Sequence, residues 1–524
     1  MAHRAIRWFN SLAEQRKYRT AIILRSLRQG KAGVFIIVTR VTLLDNRLAG
    51  WRSVAAVNLS AVLPALCLCA ALLNADLRSA EPERPNVILI LADDLGWTDL
   101  ACYGSDFHET PHLDRLASDG MKFSQNYSAC TVCSPTRAAL MTGKYPARLH
   151  ITDWIPGAMP DNPKLLVPDW TKHLPLEEKT LAEHFKAAGY QTASIGKWHL
   201  GMQEFYPDKQ GFDLNVAGTD KPQPSSYFAP WNIPTLREGQ PGDYLTDRLG
   251  DEAVAFLDRA HRQPFFLYLP HFAVHTPIQA RQKLVEKYRS KLKEGQTHKN
   301  AAYAAMLESL DTTVGRIRSK LDELQIADRT IIVFTSDNGG RVPTTSNRPL
   351  RYGKASAYEG GVRVPLIVHW PGTTKPGSES SVPTITMDLF VTLLSMAGLT
   401  SIELDKCDGV DLVPVLKETA GIAERELFWH YPHHQHYQQG GAMPYGAIRS
   451  GDWKLIEFTN DMHVELFNIR EDLSEAHDLA ADQSERAVRL TARLHQWRTD
   501  IDAQMPTSNP KYDPNKPEFN PPAK

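Results

Sequence analysis

The sequence predicts an α/β fold: a doubly wound, mostly parallel sheet flanked by helices, followed by a smaller C-terminal α+β subdomain containing a short antiparallel sheet. Three observations carry this reading. Five short apolar runs, at 87–91, 192–195, 265–269, 331–334 and 366–370, have the length and continuity of strands buried on both faces. Helical stretches separate them, among them Thr180 to Ala188, Thr246 to His261 and Ala301 to Leu324. Beyond Asp408-Gly409-Val410-Asp411 the alternation gives way to runs at 446–449, 453–458 and 464–468 that read as antiparallel strands, and Ser484 to Asp502 reads as a helix. In a doubly wound sheet ligands gather beyond the carboxyl ends of the strands, so polar residues at those ends are the ones to weigh. A chain of 524 residues also exceeds the usual size of one core. The expected organisation is an extension over 1–80, a catalytic domain over 81–420, a subdomain over 421–503 and a proline- and asparagine-rich tail over 504–524, disordered or wrapping.

The extension comes first. Residues 1–52 are rich in arginine, with only Glu14 and Asp45 as acids, and precede the apolar run Val54 to Leu73. This reads as a signal peptide with a long basic region, cleaved near Ala75 or Ala80. The same run is long enough for an uncleaved anchor helix. Cys67 and Cys69 each follow a leucine, where a lipoprotein site needs a small residue. The expected location is secreted or periplasmic and cell-envelope, with no stable membrane partner.

Each strand end then contributes a polar cluster. Val87 to Leu91 leads into Asp93-Asp94, and Ile331 to Phe334 leads into Asp337-Asn338-Gly339-Gly340. Adjacent carboxylates repel, and a carboxylate-amide pair adds oxygen ligands without relieving the charge. A divalent cation resolves the conflict, and all-oxygen ligation favours calcium before magnesium, over zinc. Taken alone, the first pair also reads as a helix cap or solvated turn, and the second as a tight turn. Thr192 to Ile195 leads into Lys197 and His199, Phe265 to Leu269 leads towards His275, and Lys354 stands in Arg351 to Gly361. Such residues singly are ordinary surface or partner groups. The run 366–370 ends at Pro371-Gly372 with no candidate ligand.

Cys133-Ser134-Pro135-Thr136-Arg137 is the most informative stretch. Pro135 suits a first helical turn, and the helix runs on until Gly143 stops it. Cys133 therefore sits at a helix N-terminus, where backbone N–H groups and the macrodipole favour an anion, with Arg137 one turn on. Cys130 and Cys133 also form a CxxC, as in thiol oxidoreductases. That reading lacks the thioredoxin-sized βαβ unit and gives Pro135 and Arg137 no role.

The segment from Cys133 through Lys144-Tyr145-Pro146 closely resembles the signature of the type I sulfatases, of the alkaline phosphatase superfamily. The resemblance spans about Pro85 to Leu416 in five clusters, in order. It implies an alkaline-phosphatase-like fold and conversion of Cys133 to formylglycine (3-oxoalanine) by a formylglycine-generating or anaerobic maturation enzyme. It implies one Ca²⁺ held by Asp93, Asp94, Asp337, Asn338 and residue 133. By the same resemblance Arg137 fixes the aldehyde hydrate, Lys197 and Lys354 grip sulfate oxygens, His199 hydrogen-bonds the hydrate and His275 faces the leaving oxygen. The implied mechanism is a double displacement, in which the hydrate attacks sulfur and then eliminates sulfate. With Cys133 oxidised, Cys130 is left free or pairs with Cys102.

Substrate identity is less legible. Trp429 to Tyr437, with His433, His434 and His436, reads as a loop over the active site, a plain surface loop, or a transition-metal site. His150, Trp154 and Arg348 are further candidate subsite contacts. A net charge of −1 with 23% charged residues gives no reason to expect nucleic acid. The 35 prolines and 11 tryptophans fit the long surface loops of carbohydrate-handling proteins. The expected activity is hydrolysis of sulfate esters on carbohydrates, O-sulfates before N-sulfamates. The alternatives are a phosphonate monoester or phosphodiester hydrolase and, with Cys133 unmodified, a glycan-binding pseudoenzyme.

Overall fold

The computed structural model describes residues 84–157, 160–400, 404, 406–435 and 443–517. The extension with its run Val54 to Leu73, His436, and residues 518–524 of the tail lie outside the described residues. The chain from Pro82 onward is one compact unit.

Its centre is an eight-stranded sheet. The strands are β1 (Asn86–Ala92), β2 (Met121–Phe123), β3 (Gln191–Ile195), β4 (Leu214–Val216), β5 (Phe265–Pro270), β6 (Thr330–Ser336), β7 (Leu366–His369) and β8 (Ser378–Ser380). Their spatial order is β8-β2-β7-β6-β1-β5-β3-β4. All run parallel except β7, which is antiparallel to both β6 and β2. The apolar run 366–370, read from sequence as one more parallel strand, is therefore corrected in direction. A parallel neighbour needs a crossover, usually through a helix. Here the chain from Asp337 to Pro365 stays at the carboxyl edge with only a one-turn helix, so β7 starts where β6 ends and runs back.

Helices α1 (Pro111–Asp119), α2 (Cys133–Thr142), α3 (Leu181–Ala187), α4 (Leu245–Ala260), α5 (Ala301–Glu323) and α6 (Thr386–Met396) cover the two faces. Strand β1 shows how the layers close. Ile88 and Ile90 enter one core with α1, α4 and α5, while Val87, Leu89 and Leu91 enter the other with α2, α3 and α6. Truncating such a residue to alanine costs about 2–5 kcal/mol.

Strands β9 (Glu426–Tyr431), β10 (Tyr445–Ser450), β11 (Trp453–Phe458) and β12 (His463–Asn468) form an antiparallel sheet in sequence order, backed by α7 (Ser484–Asp500). Three of these strands and the helix are the predicted ones. Strand β9 falls in the aromatic and imidazole cluster that reads as a loop. All its residues after Glu426 are buried, so no polar alternation marks it as a strand. Its Trp429 and Tyr431 share a core with Val132 and Ala139, on either side of Cys133. The described part of the tail wraps: Thr507–Ser508 pair with Leu165–Leu166, and the Asn162 amide donates to Asp513 O (2.7 Å) and Lys516 O (3.0 Å).

Candidate active site

Strand register brings the polar clusters together. Leu91 pairs with Pro270 and Ala92 with Ser336, so Asp93, His271 and Asp337 follow side by side. Asp337 N donates to Ala92 O (3.2 Å), and Lys197 N donates to Pro270 O (2.7 Å). The latter contact requires Gly196, at φ 128°, where a Cβ would stand 1.9 Å from Pro270 O.

Cys133 opens α2, whose ten residues are all buried, and Gly143 ends it in the left-handed region at φ 71°. The N-cap Val132 supplies no side-chain cap. Cys133 Sγ lies 3.3 Å from His199 Nδ1, and the other ring nitrogen of His199 faces Ile155 O. A carbonyl only accepts, so the neutral ring carries its proton on Nε2 and turns a lone pair towards residue 133. Burial, then the Lys197 charge, hold His199 well below the ordinary imidazole value, so it rests neutral. Burial also pushes the Cys133 thiol up, against Lys197 and Lys354. An unmodified thiol here is a protonated, weak nucleophile.

One turn on, Arg137 donates through Nε (3.0 Å) and a terminal nitrogen (2.7 Å) to Asp337 Oδ2, and to Lys197 O (3.0 Å). Lys197 Nζ donates to Asp93 Oδ2 at 2.7 Å, and Lys354 Nζ lies 2.6 Å from Asp94 Oδ1. The Asn338 amide donates to Asp94 Oδ1 (2.9 Å), and Asp94 N donates to Asp337 Oδ1 (3.2 Å). Burial would raise Asp94, but Lys354, His275 and the Asn338 amide outweigh it and hold that carboxyl low. Burial raises Asp93, opposed by Lys197 and reinforced by the Asp337 charge. Neighbouring carboxylates are thus driven apart, as like charges in one desolvated site must be.

Even with three lysine and arginine charges facing three carboxylates, the oxygens are not all satisfied. Asp93 Oδ1, Asp94 Oδ2 and Asn338 Oδ1 are buried without a hydrogen-bond partner. Three orphaned oxygens on two strand ends fit a hard divalent cation. Asp93, Asp94 and His275 also offer ligand atoms within 4.8 Å of one another.

His275 Nε2 stands 3.6 Å from Asp94 Oδ2, and Nδ1 faces Thr276 O at 3.0 Å. Burial lowers it to about 3, although Asp94 favours the charged form. Lys354 and His275, each 6% exposed, are the most exposed members of this cluster.

The structure thus brings together Asp93, Asp94, Cys133, Arg137, Lys197, His199, His275, Asp337, Asn338 and Lys354. It disperses the substrate candidates. His433 (1% exposed) meets Thr152 Oγ1 at 2.8 Å and His434 (0%) meets Leu165 O at 3.1 Å, so neither presents a ring to a sugar. Just after β9, His433 braces the 150–155 segment and His434 the Leu165 segment. His150 Nε2 is tied to Asp502 O at 2.8 Å. Trp154 is half-buried one residue before Ile155, and Arg348 is exposed. Cys102 and Cys130 are both free.

Three contributors escape sequence reading. Ser134 Oγ donates to His199 O (2.9 Å) and accepts from Ile155 N (3.1 Å). Ile155 acts through its carbonyl, which no side-chain pattern reveals. Tyr227, in an irregular loop, donates its hydroxyl to Phe272 O (2.6 Å) and His275 O (3.0 Å) and so holds the His275 backbone.

Residues 85–399 match the family model described as Sulfatase, and residues 351–501 match a second, described as N-sulphoglucosamine sulphohydrolase, C-terminal. The chain belongs to the sulfatase family. It is a sulfuric ester hydrolase of the alkaline phosphatase superfamily. This sulfatase is 34% identical to a Formosa agariphila protein named Sulfatase, over 83% of this chain and 92% of the relative. It is 36% identical to human N-acetylgalactosamine-6-sulfatase, over 67% and 69%. Its fold matches the crystal structure of Ps i-CgsB in complex with k-i-k-neocarrahexaose with a TM-score of 0.69 at 30% identity, covering 83% of this chain and 96% of the other.

Proposed function

We propose that this sulfatase hydrolyses sulfate esters on carbohydrates, using formylglycine made from Cys133 and a Ca²⁺ held by Asp93, Asp94, Asp337 and Asn338. The observation that carries the reading is the three partnerless buried oxygens beside a cysteine at a helix N-terminus. The carbohydrate class draws support from two of the proteins it resembles, one named for N-acetylgalactosamine 6-sulfate and one crystallised with a carrageenan-type hexasaccharide.

Calcium supplies a hard positive centre beside residue 133, and the aldehyde supplies an oxygen function able to release the sulfate it accepts. The chain's own residues do the rest. Arg137 pins Asp337 and keeps the metal-facing carboxylates oriented. Lys197 and Lys354 offset charge that grows on the sulfuryl oxygens. His199 takes a proton from residue 133 at Nδ1, the nitrogen that faces it. His275, which rests neutral with its proton on Nδ1 against Thr276 O, gains a second proton as the anionic substrate enters and hands it from Nε2 to the departing alcohol. Burial keeps competing water out.

The same reading includes export through the N-terminal segment, to the outside or the cell envelope, and encounter with a formylglycine-generating or anaerobic maturation enzyme. Three measurements test it. Mass spectrometry of the Cys133 peptide should find formylglycine, metal analysis should find one Ca²⁺ per chain, and sulfate should be released from a panel of sulfated mono- and oligosaccharides. An intact thiol in active protein overturns the nucleophile. Phosphate or phosphonate esters of the same alcohols turning over faster than the sulfates would overturn the substrate class, and sulfamates turning over faster would move it to N-sulfates.

A further inference from the structure

A cavity of about 1030 Å³ is lined by segments within 295–300 and 342–352, the second of which lies between Asn338 and Lys354 in the chain. Its charge is one-sided. Lys299, Arg348 and Arg351 line it, and no aspartate or glutamate does. Arg351 is already engaged, donating to Glu475 O at 2.8 Å with its guanidinium 4.0 Å from the Tyr358 ring centroid. Lys299 and Arg348 are exposed, and neither forms an ion pair among the described residues. An exposed cation pair in a concave wall without acids raises the local concentration of anions.

The wall is built rather than loose. The Asn347 amide donates to Gly340 O (2.8 Å) and Tyr352 O (3.0 Å) and accepts from Gly340 N (3.1 Å). The Asn300 amide crosses to Thr344 O (3.2 Å), joining the two rims. Thr98 Oγ1 and His298 Nε2 both meet Ser346 O, at 3.2 and 3.0 Å. The clamped segment starts two residues after Asn338 and ends two before Lys354. Lys354 N donates to Gly340 O (3.1 Å), which ties this wall to the proposed sulfate-gripping lysine.

We infer that this groove is an anion-binding subsite, in which Lys299 and Arg348 hold a sulfate or carboxylate of the sugar next to the one that loses its sulfate. The inference rests on the carbohydrate reading above and deepens it: the substrate is a polyanionic oligosaccharide, and these two residues set chain specificity. A guanidinium and an ammonium suit sulfate and carboxylate alike.

The test uses the full protein and a Lys299→Ala/Arg348→Ala variant. The probes are tetrasaccharides of chondroitin 6-sulfate, κ-carrageenan and heparin, desulfated chondroitin, and 4-nitrophenyl sulfate. Binding is read by calorimetry at low and high salt, and turnover by sulfate release. The expected result is at least a tenfold greater loss of affinity for one or more sulfated tetrasaccharides than any change in KM for 4-nitrophenyl sulfate, with the difference shrinking as salt rises. A matching loss for desulfated chondroitin assigns the groove to carboxylates, and its absence assigns it to sulfates. Equal changes for tetrasaccharide and 4-nitrophenyl sulfate, or no tetrasaccharide bound by the unaltered protein, overturn the subsite. Tetrasaccharide binding through these residues without any sulfate release would instead break the catalytic reading and leave the groove standing.

Discussion

Two clusters of buried charge in this molecule are finished differently. At the carboxyl edge of the large sheet, Asp93, Asp94 and Asp337 face Lys197, Lys354 and Arg137, and three oxygens are left without a partner. Where the C-terminal sheet packs on the catalytic region, Lys454 Nζ lies 3.0 Å from both Glu359 Oε1 and Glu475 Oε1. The remaining Glu359 oxygen accepts from Tyr127 (2.8 Å), and Glu475 Oε2 accepts from Glu359 N (2.7 Å). Each of these four carboxylate oxygens has a cation or donor within 3.0 Å, and one of them, Glu475 Oε1, faces Lys454 without forming a hydrogen bond, against three unpartnered oxygens at the open cluster. Buried charge that the protein closes by itself is structure, and buried charge that it leaves open points to a ligand.

The contrast can be broken most severely at the open cluster. Cys133→Ala should lower sulfate release by about 10⁴-fold or more, the scale of losing a nucleophile, with the thermal midpoint nearly unchanged. A residual rate within tenfold of the parent would mean that residue 133 is not the reacting group. At the closed cluster the outcome should invert. Lys454→Met leaves Glu359 and Glu475 buried without their shared cation, which should cost about 3–5 kcal/mol in urea unfolding while the rate per folded molecule holds. Unchanged stability would show that the network is not structural.

Removing the calcium proposed above is a further test of the open cluster. A chelator should abolish turnover, and adding Ca²⁺ back at about 100-fold its Kd should restore it and stabilise the fold by about 2.7 kcal/mol. Zinc restoring activity better than calcium would contradict the all-oxygen site. The smallest effect is acid sensitivity. Burial holds His433 near 3, below its ordinary value, so the folded protein keeps it neutral while the unfolded chain protonates below about 6.5. Its contribution is present above pH 6.5 and is lost as pH falls from there towards 3. A His433→Gln variant should lose up to about 1.4 kcal/mol less per pH unit across that window, read from urea midpoints at pH 7 and 5. Parallel slopes would remove His433 from the account.

The residues proposed for the chemistry were legible as candidates because they sit in short dense clusters at the ends of apolar runs, and strand register brings them together. Asp93 and Asp337 are far apart in sequence, yet Ala92 pairing with Ser336 makes them neighbours. The direction of β7 was not legible, since a doubly buried strand shows the same Leu-Ile-Val run whichever way it points. Strand β9 was hidden for a related reason: Trp429, His430 and Tyr431 are all interior, so histidines that look like sugar contacts are core braces. Contacts made by main chain, such as Ile155 O on His199, leave no trace in side-chain pattern.

Helix α2 is interior along its whole length, and its first residue is 2% exposed. In the folded molecule that sulfur is almost completely covered, which disfavours access by a second enzyme. On the proposed conversion to formylglycine, oxidation of Cys133 has to precede folding, and a chain that folds first is trapped as a well-formed but inert copy. The specific activity of a preparation then records the timing of its birth as much as the quality of its active site.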